Sequence, residues 1–290
     1  MQGLINNKIY KKGILLRKRL LYIGDVTMRD GIQNYPKIYT INERINIINE
    51  LTKTGNYKYI EVGSIVSPRI EQMRQSDDVY KLIKKQEGIL YGLLAIGNDN
   101  INYTINNCKP EVMALVTSPS NEFCEKNMHT TTIQSIIDIN EAIKRAKEND
   151  IKIRLYISCC STCPFTKLPM YNKIGEFVKK MNINYIDHIM ISDTNAEMTT
   201  HMLRKIFKDI KEYVPTWKIG LHLHENKHSI KNINYAISKN IRIIDTVASN
   251  IGGCNSIKNP HNNLNINKIL KIKYDNIIKM LNVSNMPPHV

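Results

Sequence analysis

Two histidines lie one residue apart within the apolar run KIGLHLHEN, residues 218–226. On a β-strand, alternate side chains point to the same face, so His222 and His224 share one face while Leu221 and Leu223 share the other. Neighbouring imidazoles need a proton, an acceptor or a cation between them. The pair therefore has two interpretations, packed core histidines or half of a metal site, and this segment alone does not decide between them.

Several other polar residues could act with this pair, because they follow apolar, β-branched runs. Mixed nitrogen and oxygen donors suit Mg²⁺ or Mn²⁺, and they suit Zn²⁺ or Fe²⁺ less well. Any one of these residues alone could be a helix cap, a turn residue or a core hydrogen bond. The occurrence of so many of them after such runs favours a metal site. The residues are Arg29, Asp30, Gln33, Glu61, Ser64, Ser67, Ser158, Cys159, Ser192, Asp193, Thr194, His222, His224, Cys254, Asn262 and Asn263.

The elements that must position these groups are short apolar runs, separated by helix-patterned stretches. Each run ends in a polar turn, as a strand does where it leaves a sheet. The predicted strands are LLYIGDV (20–26), KYIEVG (58–63), ILYGLLA (89–95), EVMALVT (111–117), KIRLYIS (152–158), HIMIS (188–192), KIGLHLH (218–224) and IIDTVAS (243–249).

The stretches between the runs have the pattern of helices. TINERINIINELTKTG opens with Thr40 and Glu43 at the spacing of a capping box and closes on Gly55. Helices are also predicted over residues 131–150, with apolar residues at Ile133, Ile136, Ile137 and Ile139, and over residues 229–240 and 265–281.

About eight alternations of strand and helix predict a parallel α/β fold. The main competitor is an open doubly wound sheet, whose dinucleotide-binding form carries GxGxxG after the first strand. That turn here is TMRDGIQN (27–34), without this fingerprint. We therefore predict a single-domain (β/α)8 TIM barrel, whose strands would bring the polar residues to one mouth. Residues 1–17 would be a short basic lead, and residues 18–290 the barrel with a C-terminal helix.

The composition bounds the class of protein. The chain has 290 residues, 42% of them hydrophobic, which is enough for one large core. No apolar run approaches the roughly 20 residues of a membrane span.

Six cysteines without a secretory segment indicate a reducing compartment, so we expect a cytoplasmic location, with a mitochondrial one less favoured. The net charge of +15 would attract polyanions, but its lysines are spread through most of the helical segments, so charge alone assigns no function.

The motifs resemble those of the 3-hydroxy-3-methylglutaryl-CoA lyases, barrel metallolyases related to the isopropylmalate and homocitrate synthases. The resemblance runs from about residue 18 to about residue 270. The synthases are typically longer, with additional C-terminal regions. The matching segments are RDGIQN (29–34), YIEVGSIVSPRIEQM (59–73), YISCCSTCPF (156–165), LHLHEN (221–226) and NIGGC (250–254).

The resemblance implies cleavage of 3-hydroxy-3-methylglutaryl-CoA into acetoacetate and acetyl-CoA, with Mg²⁺ or Mn²⁺ as the cofactor. Asp30, His222 and His224 would be metal ligands. Asn263, nine positions beyond Cys254 as in these lyases, would be the fourth. The resemblance also implies an acyl-CoA substrate. Barrel lyases of this kind often dimerise, so we expect a homodimer.

The resemblance also implies roles in the reaction. Arg29 would stabilise the enolate charge that develops on the thioester oxygen. Cys254 would lie on a loop that closes over the substrate and assists proton transfer. The candidate base is His222 or a carboxylate beside the metal. The further residues implied are Glu61 and Asp193 as catalytic groups lining the site, and Gln33 and Ser158 as substrate contacts.

Some segments depart from the family pattern. Residues 195–200 read NAEMTT, where the lyases are rich in glycine, and the loop after Cys254 reads NSIKNPHNNLN. These changes affect the expected CoA-phosphate contacts and loop closure, and they make Asn262 an alternative ligand to Asn263. Cys160 and Cys163 form a CxxC pair without a second pair, which favours packing over a zinc site.

Two alternatives remain open on the sequence. One is a related Claisen or aldol enzyme that acts on another acyl-CoA or on a 2-oxo acid. The other is an inactive basic barrel that binds nucleic acid. The second is disfavoured because no motif interleaves aromatic and basic residues, as single-strand binding would require.

Overall fold

The computed structural model describes residues 21–253 and 261–270. Its parallel strands close into one barrel, in which each strand pairs with its sequence neighbours and β8 pairs with β1. The predicted (β/α)8 barrel is confirmed. The strands are β1 (Tyr22–Asp25), β2 (Tyr59–Ile65), β3 (Leu90–Ala95), β4 (Val112–Thr117), β5 (Lys152–Ile157), β6 (His188–Asp193), β7 (Ile219–Leu223) and β8 (Ile243–Thr246).

Helices in the described part of the chain follow the strands and cover the barrel. Their apolar residues pack with the strands into one large core. No helix among the described residues is long and apolar enough to cross a bilayer. The helices are α1 (Ile41–Lys53), α2 (Ser76–Leu82), α3 (Asn98–Tyr103), α4 (Asn121–Met128), α5 (Thr132–Glu148), α6 (Ile174–Val178), α7 (Thr200–Ile210), α8 (Ser229–Ser238) and α9 (Ile266–Leu270).

Helix α1 begins and ends as its sequence predicted. The Thr40 side chain accepts a hydrogen bond from the Glu43 backbone N–H, and the Glu43 carboxylate accepts one from the Thr40 N–H, which is a capping box. Gly55 then turns the chain with φ of 62°, a conformation that costs glycine little. The cap and the glycine fix the length of the connection between β1 and β2.

Helix α5 forms where it was predicted, but two of its isoleucines do not face the core. Ile133 is 73% exposed and Ile137 is 53% exposed, whereas Ile139 is buried. Positions 133 and 137 lie about 200° around the helix from position 135, which faces the barrel. The small residues of this helix therefore form much of the buried face, which comprises Ser135, Ile139, Ala142, Ile143 and Ala146.

Three predictions fall wholly or partly outside the described residues. The proposed C-terminal helix over residues 265–281 appears as α9 only through Leu270, and the remainder lies outside the described part. The proposed basic lead, residues 1–17, and Cys254 also lie outside it. The predicted boundary between lead and barrel therefore stays a prediction.

Asp25, at the end of β1, is fully buried, and its carboxylate oxygens accept hydrogen bonds of 2.9 Å from the Thr27 N–H and hydroxyl. Burial raises the pKa of Asp25 to about 7. Since this folded-state value lies above the unfolded one, the folded state holds the extra proton between about pH 4 and 7. The free energy of unfolding contributed by Asp25 should therefore fall as pH rises through that window, by at most about 1.4 kcal/mol per pH unit.

We expect Asp25→Asn to remove this dependence, because the amide keeps an acceptor for the Thr27 N–H and cannot ionise. Urea unfolding of both proteins at pH 5, 6 and 7 would measure the difference between their slopes. Glu87→Gln, at an exposed position, is the control for loss of a carboxylate. Parallel curves for wild type and Asp25→Asn would contradict a protonated Asp25.

Candidate metal centre

A cavity of about 560 Å³ opens at the carboxyl ends of the strands. One side of it is polar and carries the residues that the sequence singled out. The other side is formed by the ends of β3 and β4 and by helix α4, and it is largely apolar, with Asn100, Asn127 and His129 as polar members. The polar lining includes Arg29, Asp30, Gln33, Ser158, His222 and His224, and the apolar lining includes Leu94, Ile96, Val116, Phe123 and Met128.

Asp30, His222 and His224 converge at the floor of this cavity. One potential ligand atom from each lies within 4.8 Å of the others, and all three residues are buried. Asp30 Oδ2 is 3.3 Å from His222 Nε2 and 3.6 Å from His224 Nε2. Strand β7 and its continuation bring both imidazoles to one face, with ring centroids 5.6 Å apart. Two nitrogens and a carboxylate oxygen at this spacing fit a divalent cation.

Asp30 reaches the cluster because β1 ends in a wide turn, Thr27–Gly31. The turn is closed by i→i−5 hydrogen bonds, from the Gly31 N–H to the Val26 carbonyl and from the Ile32 N–H to the Thr27 carbonyl, each 3.0 Å. Such π-turns are frequent at functional sites. Here the turn directs two consecutive side chains, Arg29 and Asp30, into the barrel.

Asn263, and not Asn262, completes the cluster. The Asn263 Nδ2 donates to Asp30 Oδ2 at 2.6 Å and lies 3.4 Å from His224 Nε2. Its Oδ1 accepts a hydrogen bond of 3.2 Å from the Gly253 N–H. To ligate a cation the amide must turn, so that Oδ1 replaces Nδ2. Asn262 is half-buried and uses its carbonyl to accept from the Glu225 N–H.

Arg29 lies beside the cluster and lines the cavity. Its guanidinium forms ion pairs with Asp30 through Nη1 and with Glu61 through Nε. Burial by itself lowers the pKa of Arg29, but Asp30 and Glu61 raise it well above its ordinary value, so the group stays cationic. Glu61 is fully buried behind Arg29 and does not line the cavity. The structure therefore places Glu61 as a support for Arg29, whereas the sequence had placed it at the cavity wall.

Asp193 also differs from its predicted position. Its carboxylate faces the turn after β6, where it accepts from Ser161 Oγ at 2.7 Å and from the Met198 N–H at 2.8 Å, and it does not line the cavity. Its backbone carbonyl accepts from His224 Nδ1 at 2.7 Å. A carbonyl only accepts, so Nδ1 carries a proton, and Nε2 is the nitrogen that faces the cluster. Asp193 thus orients His224 through its main chain.

The sequence reasoning missed the group that orients His222. Asp245 is buried in β8, with its Oδ2 3.2 Å from His222 Nδ1 and 2.9 Å from the Tyr156 hydroxyl. Its Oδ1 forms an ion pair with Arg154, which is also buried. The available signal was a charged residue within an apolar strand, at the third position of both KIRLYI and IIDT. Such a residue needs a partner inside the barrel.

The charges of this network are strongly coupled. Burial raises the pKa of Asp30, but Arg29 and the two histidines outweigh it and hold that pKa well below its ordinary range. Burial also raises the pKa of Asp245, but Arg154 and His222 lower it to about 2. Burial lowers the pKa of His222, but hydrogen bonds with Asp245 and Asp30 raise it to about 9. A cation that binds His222 must therefore displace a proton, so cation affinity falls as pH falls.

Sequence comparison identifies the family. The HMGL-like family profile matches residues 20–257. This chain belongs to the HMGL-like family. The cytoplasmic 3-hydroxy-3-methylglutaryl-CoA lyase of Mus musculus is 28% identical over 244 residues, which cover 83% of this chain and 71% of that protein. The 3-hydroxy-3-isohexenylglutaryl-CoA/hydroxy-methylglutaryl-CoA lyase of Pseudomonas aeruginosa is 25% identical, covering 81% of this chain and 78% of that one.

Solved structures of lyases share the fold. The hydroxymethylglutaryl-CoA lyase of Pseudomonas aeruginosa matches with a TM-score of 0.83 at 21% identity, covering 93% of this chain and 95% of that one. The HMG-CoA lyase of Acinetobacter baumannii, solved with coenzyme A and 3-methylmalate, matches with a TM-score of 0.82 at 21% identity. That match covers 92% of this chain and 90% of that one. The predicted family and barrel are thus confirmed.

Replacing Asp245 tests the orientation of His222. We expect Asp245→Asn to weaken Mn²⁺ binding by about 10–100-fold, because the amide no longer holds the His222 Nδ1 proton by charge. Titration calorimetry on the folded variant would measure the dissociation constant. Asp99→Asn, at an exposed position on α3, is the matched control. Wild-type Mn²⁺ affinity in folded Asp245→Asn would contradict the role of Asp245.

Proposed function

We propose that this protein is a divalent-cation-dependent lyase that cleaves 3-hydroxy-3-methylglutaryl-CoA to acetoacetate and acetyl-CoA. The observation that carries the proposal is the convergence of Asp30, His222 and His224 beside Arg29, at the mouth of a barrel of the HMGL-like family. The relatives named as lyases of this substrate support it. Mg²⁺ or Mn²⁺ is the proposed ion, because the donor set mixes carboxylate, amide and imidazole.

Asp30, His222, His224 and Asn263 would hold the cation. When bound, the cation would coordinate the substrate hydroxyl and lower its pKa, which favours loss of the proton before the carbon–carbon bond breaks. His222 cannot serve as ligand and base through the same nitrogen. Since its Nδ1 faces Asp245 and its Nε2 faces Asp30, we assign His222 to the ligand set. The sequence suggested His222 as both ligand and base, with a carboxylate beside the metal as the other candidate base. Asp30, the carboxylate in the cavity lining, would then accept the hydroxyl proton.

Arg29 would stabilise the charge that develops during cleavage. As the bond between the tertiary carbinol carbon and the α-carbon breaks, its electron pair moves into the thioester and places negative charge on the carbonyl oxygen. The Nε and Nη1 of Arg29 are held by Glu61 and Asp30, so Nη2 is the nitrogen free to meet that oxygen. A cation fixed in advance in a buried site needs no reorganisation when the charge appears.

The rest of the cavity fits the remainder of an acyl-CoA. Gln33 and Ser158 would contact the polar acyl group beside the cluster. The apolar wall, including Leu94, Val116 and Phe123, would receive the methyl group and the thioester arm. The proposed role of Cys254, proton transfer from a closing loop, stays a prediction because that residue lies outside the described part of the chain.

Cellular location and assembly remain predictions. Curated relatives include cytoplasmic lyases from mouse and human and mitochondrial lyases from orangutan and rat. We propose the cytoplasm for this chain, in keeping with its cysteines and the first of these relatives. The homodimer expected from the family resemblance is proposed on that ground alone.

The direct test is release of acetyl-CoA from 3-hydroxy-3-methylglutaryl-CoA. We expect release by the purified protein, its loss on treatment with EDTA, and its return on addition of Mg²⁺ or Mn²⁺, because the ligand cluster needs a cation. A coupled assay for acetyl-CoA measures all three states. Condensation of a 2-oxo acid with acetyl-CoA, without cleavage of this substrate, would instead favour the related Claisen reaction. Cleavage unaffected by complete removal of metal would contradict the proposed cofactor.

Arg29 gives a second test. We expect Arg29→Gln to lower kcat by about 10²–10³-fold, because one preorganised donor to the developing oxyanion is lost. Steady-state kinetics at saturating Mg²⁺ would measure it, with melting temperature as the check on folding. Arg204→Gln, at an exposed position on α7, is the matched control and should keep wild-type kcat. Near-wild-type turnover in Arg29→Gln would exclude the proposed role.

A further inference from the structure

The segment that carries Asn263 is held in place by the residue that follows His224. We call residues 262–266 the Asn263 strap. Its backbone lies along the end of β7, where His224 and Asn263 form an antiparallel bridge. The Glu225 N–H donates to the Asn262 carbonyl at 2.7 Å, and the Leu264 N–H donates to the Leu223 carbonyl at 3.0 Å. The strap therefore extends the barrel mouth from β7 toward the end of β8.

The Glu225 side chain fastens the strap a second time, beyond Asn263. Its Oε1 accepts the Asn265 N–H at 3.1 Å, and its Oε2 forms an ion pair of 2.5 Å with Lys268 in α9. The Glu225 side chain is 17% exposed, so this carboxylate is largely shielded from water. One residue thus holds the strap on both sides of Asn263, by its main chain before it and by its carboxylate after it.

The opposite edge of the strap is tied to the end of β8. Val247 and Asn265 form a parallel bridge, and Asn265 Nδ2 donates to Asn250 Oδ1 at 2.7 Å. The Asn263 N–H donates to the Ile251 carbonyl at 3.0 Å. These contacts would persist without the Glu225 carboxylate, so its loss should shift the strap without unfolding it. Metal ligands tolerate displacements of only a few tenths of an ångström, so a small shift is enough to change affinity.

We propose that Glu225 is a positioning residue for the metal site, which sets the Asn263 amide relative to Asp30 and His224. Glu225 does not line the cavity, and it acts only through the strap. The proposal rests on the proposed function, because it takes Asn263 as a ligand. It adds to the site a residue that touches neither cation nor substrate.

Mn²⁺ affinity of the substrate-free protein tests this proposal without an assay of turnover. We expect Glu225→Ala to raise the Mn²⁺ dissociation constant about 10-fold or more, the range found for residues that support metal ligands. Glu225→Gln should have a smaller effect, because its amide oxygen still accepts the Asn265 N–H. Glu50→Ala is the control: it removes an ion pair of the same 2.5 Å length, with Lys53 on α1, and should leave the affinity unchanged.

A double-mutant cycle with Asn263→Ala separates positioning from a general structural effect. If Glu225 acts through Asn263, Glu225→Ala should change Mn²⁺ affinity little once Asn263 is Ala. Titration calorimetry, with melting temperatures for each protein, measures the cycle. If Glu225→Ala does not fold, Glu225→Gln and Lys268→Met enter the same cycle.

The results of these experiments distinguish failure of the Glu225 proposal from failure of the proposed lyase function. Additive effects, or wild-type Mn²⁺ affinity in folded Glu225→Ala, would overturn the role of Glu225 and leave the proposed lyase intact. A wild-type protein that neither binds Mn²⁺ nor releases acetyl-CoA would overturn both proposals. Non-additivity confined to Asn263, with an unaffected Glu50→Ala control, supports the positioning role.

Discussion

The site depends on a buried carboxylate, Asp245, whose charge is balanced inside the barrel. Arg154 pairs with one of its oxygens, and Tyr156 and His222 contact the other. Burying an ion without such partners costs several kcal/mol, so each member requires the others. Opposite charges then alternate from His222 through Asp30 and Arg29 to Glu61, which is buried behind Arg29. The ligand cluster is the part of this balanced series that lines the cavity.

The sequence predicted the parts of this arrangement that depend on local geometry. The two-residue period of a strand placed His222 and His224 on one face, and a capping box set the start of α1. The alternation of strands and helices predicted the barrel. The barrel in turn predicted that Asp30 and the two histidines lie at the same mouth. The family resemblance selected Asn263, and the strap brings its side chain to that cluster.

The remaining features depend on contacts between distant segments. Asp193 ends β6, as predicted, whereas Glu61 is the third residue of β2 and lies inside the strand instead of at its carboxyl end. Neither carboxylate lines the cavity, since that of Asp193 accepts hydrogen bonds from a turn and that of Glu61 pairs with Arg29. Asp245 was overlooked because the partners of a single acid in an apolar strand lie on other strands, and they come next to it only in the closed barrel. The positions at which the strands end also belong to these features, because they are set by turns such as Thr27–Gly31 after β1.

The turn Thr27–Gly31 has a consequence for how the site can vary. In a regular strand or helix, adjacent side chains diverge, so two functions on neighbouring residues could change separately. Here one turn carries both Asp30, the proposed ligand of the cation, and Arg29, the proposed stabiliser of the oxyanion. Their separation is set by a single peptide unit. A change in the backbone of this turn would move both side chains together. Such a change would therefore alter the capture of the ion and the stabilisation of charge at the same time.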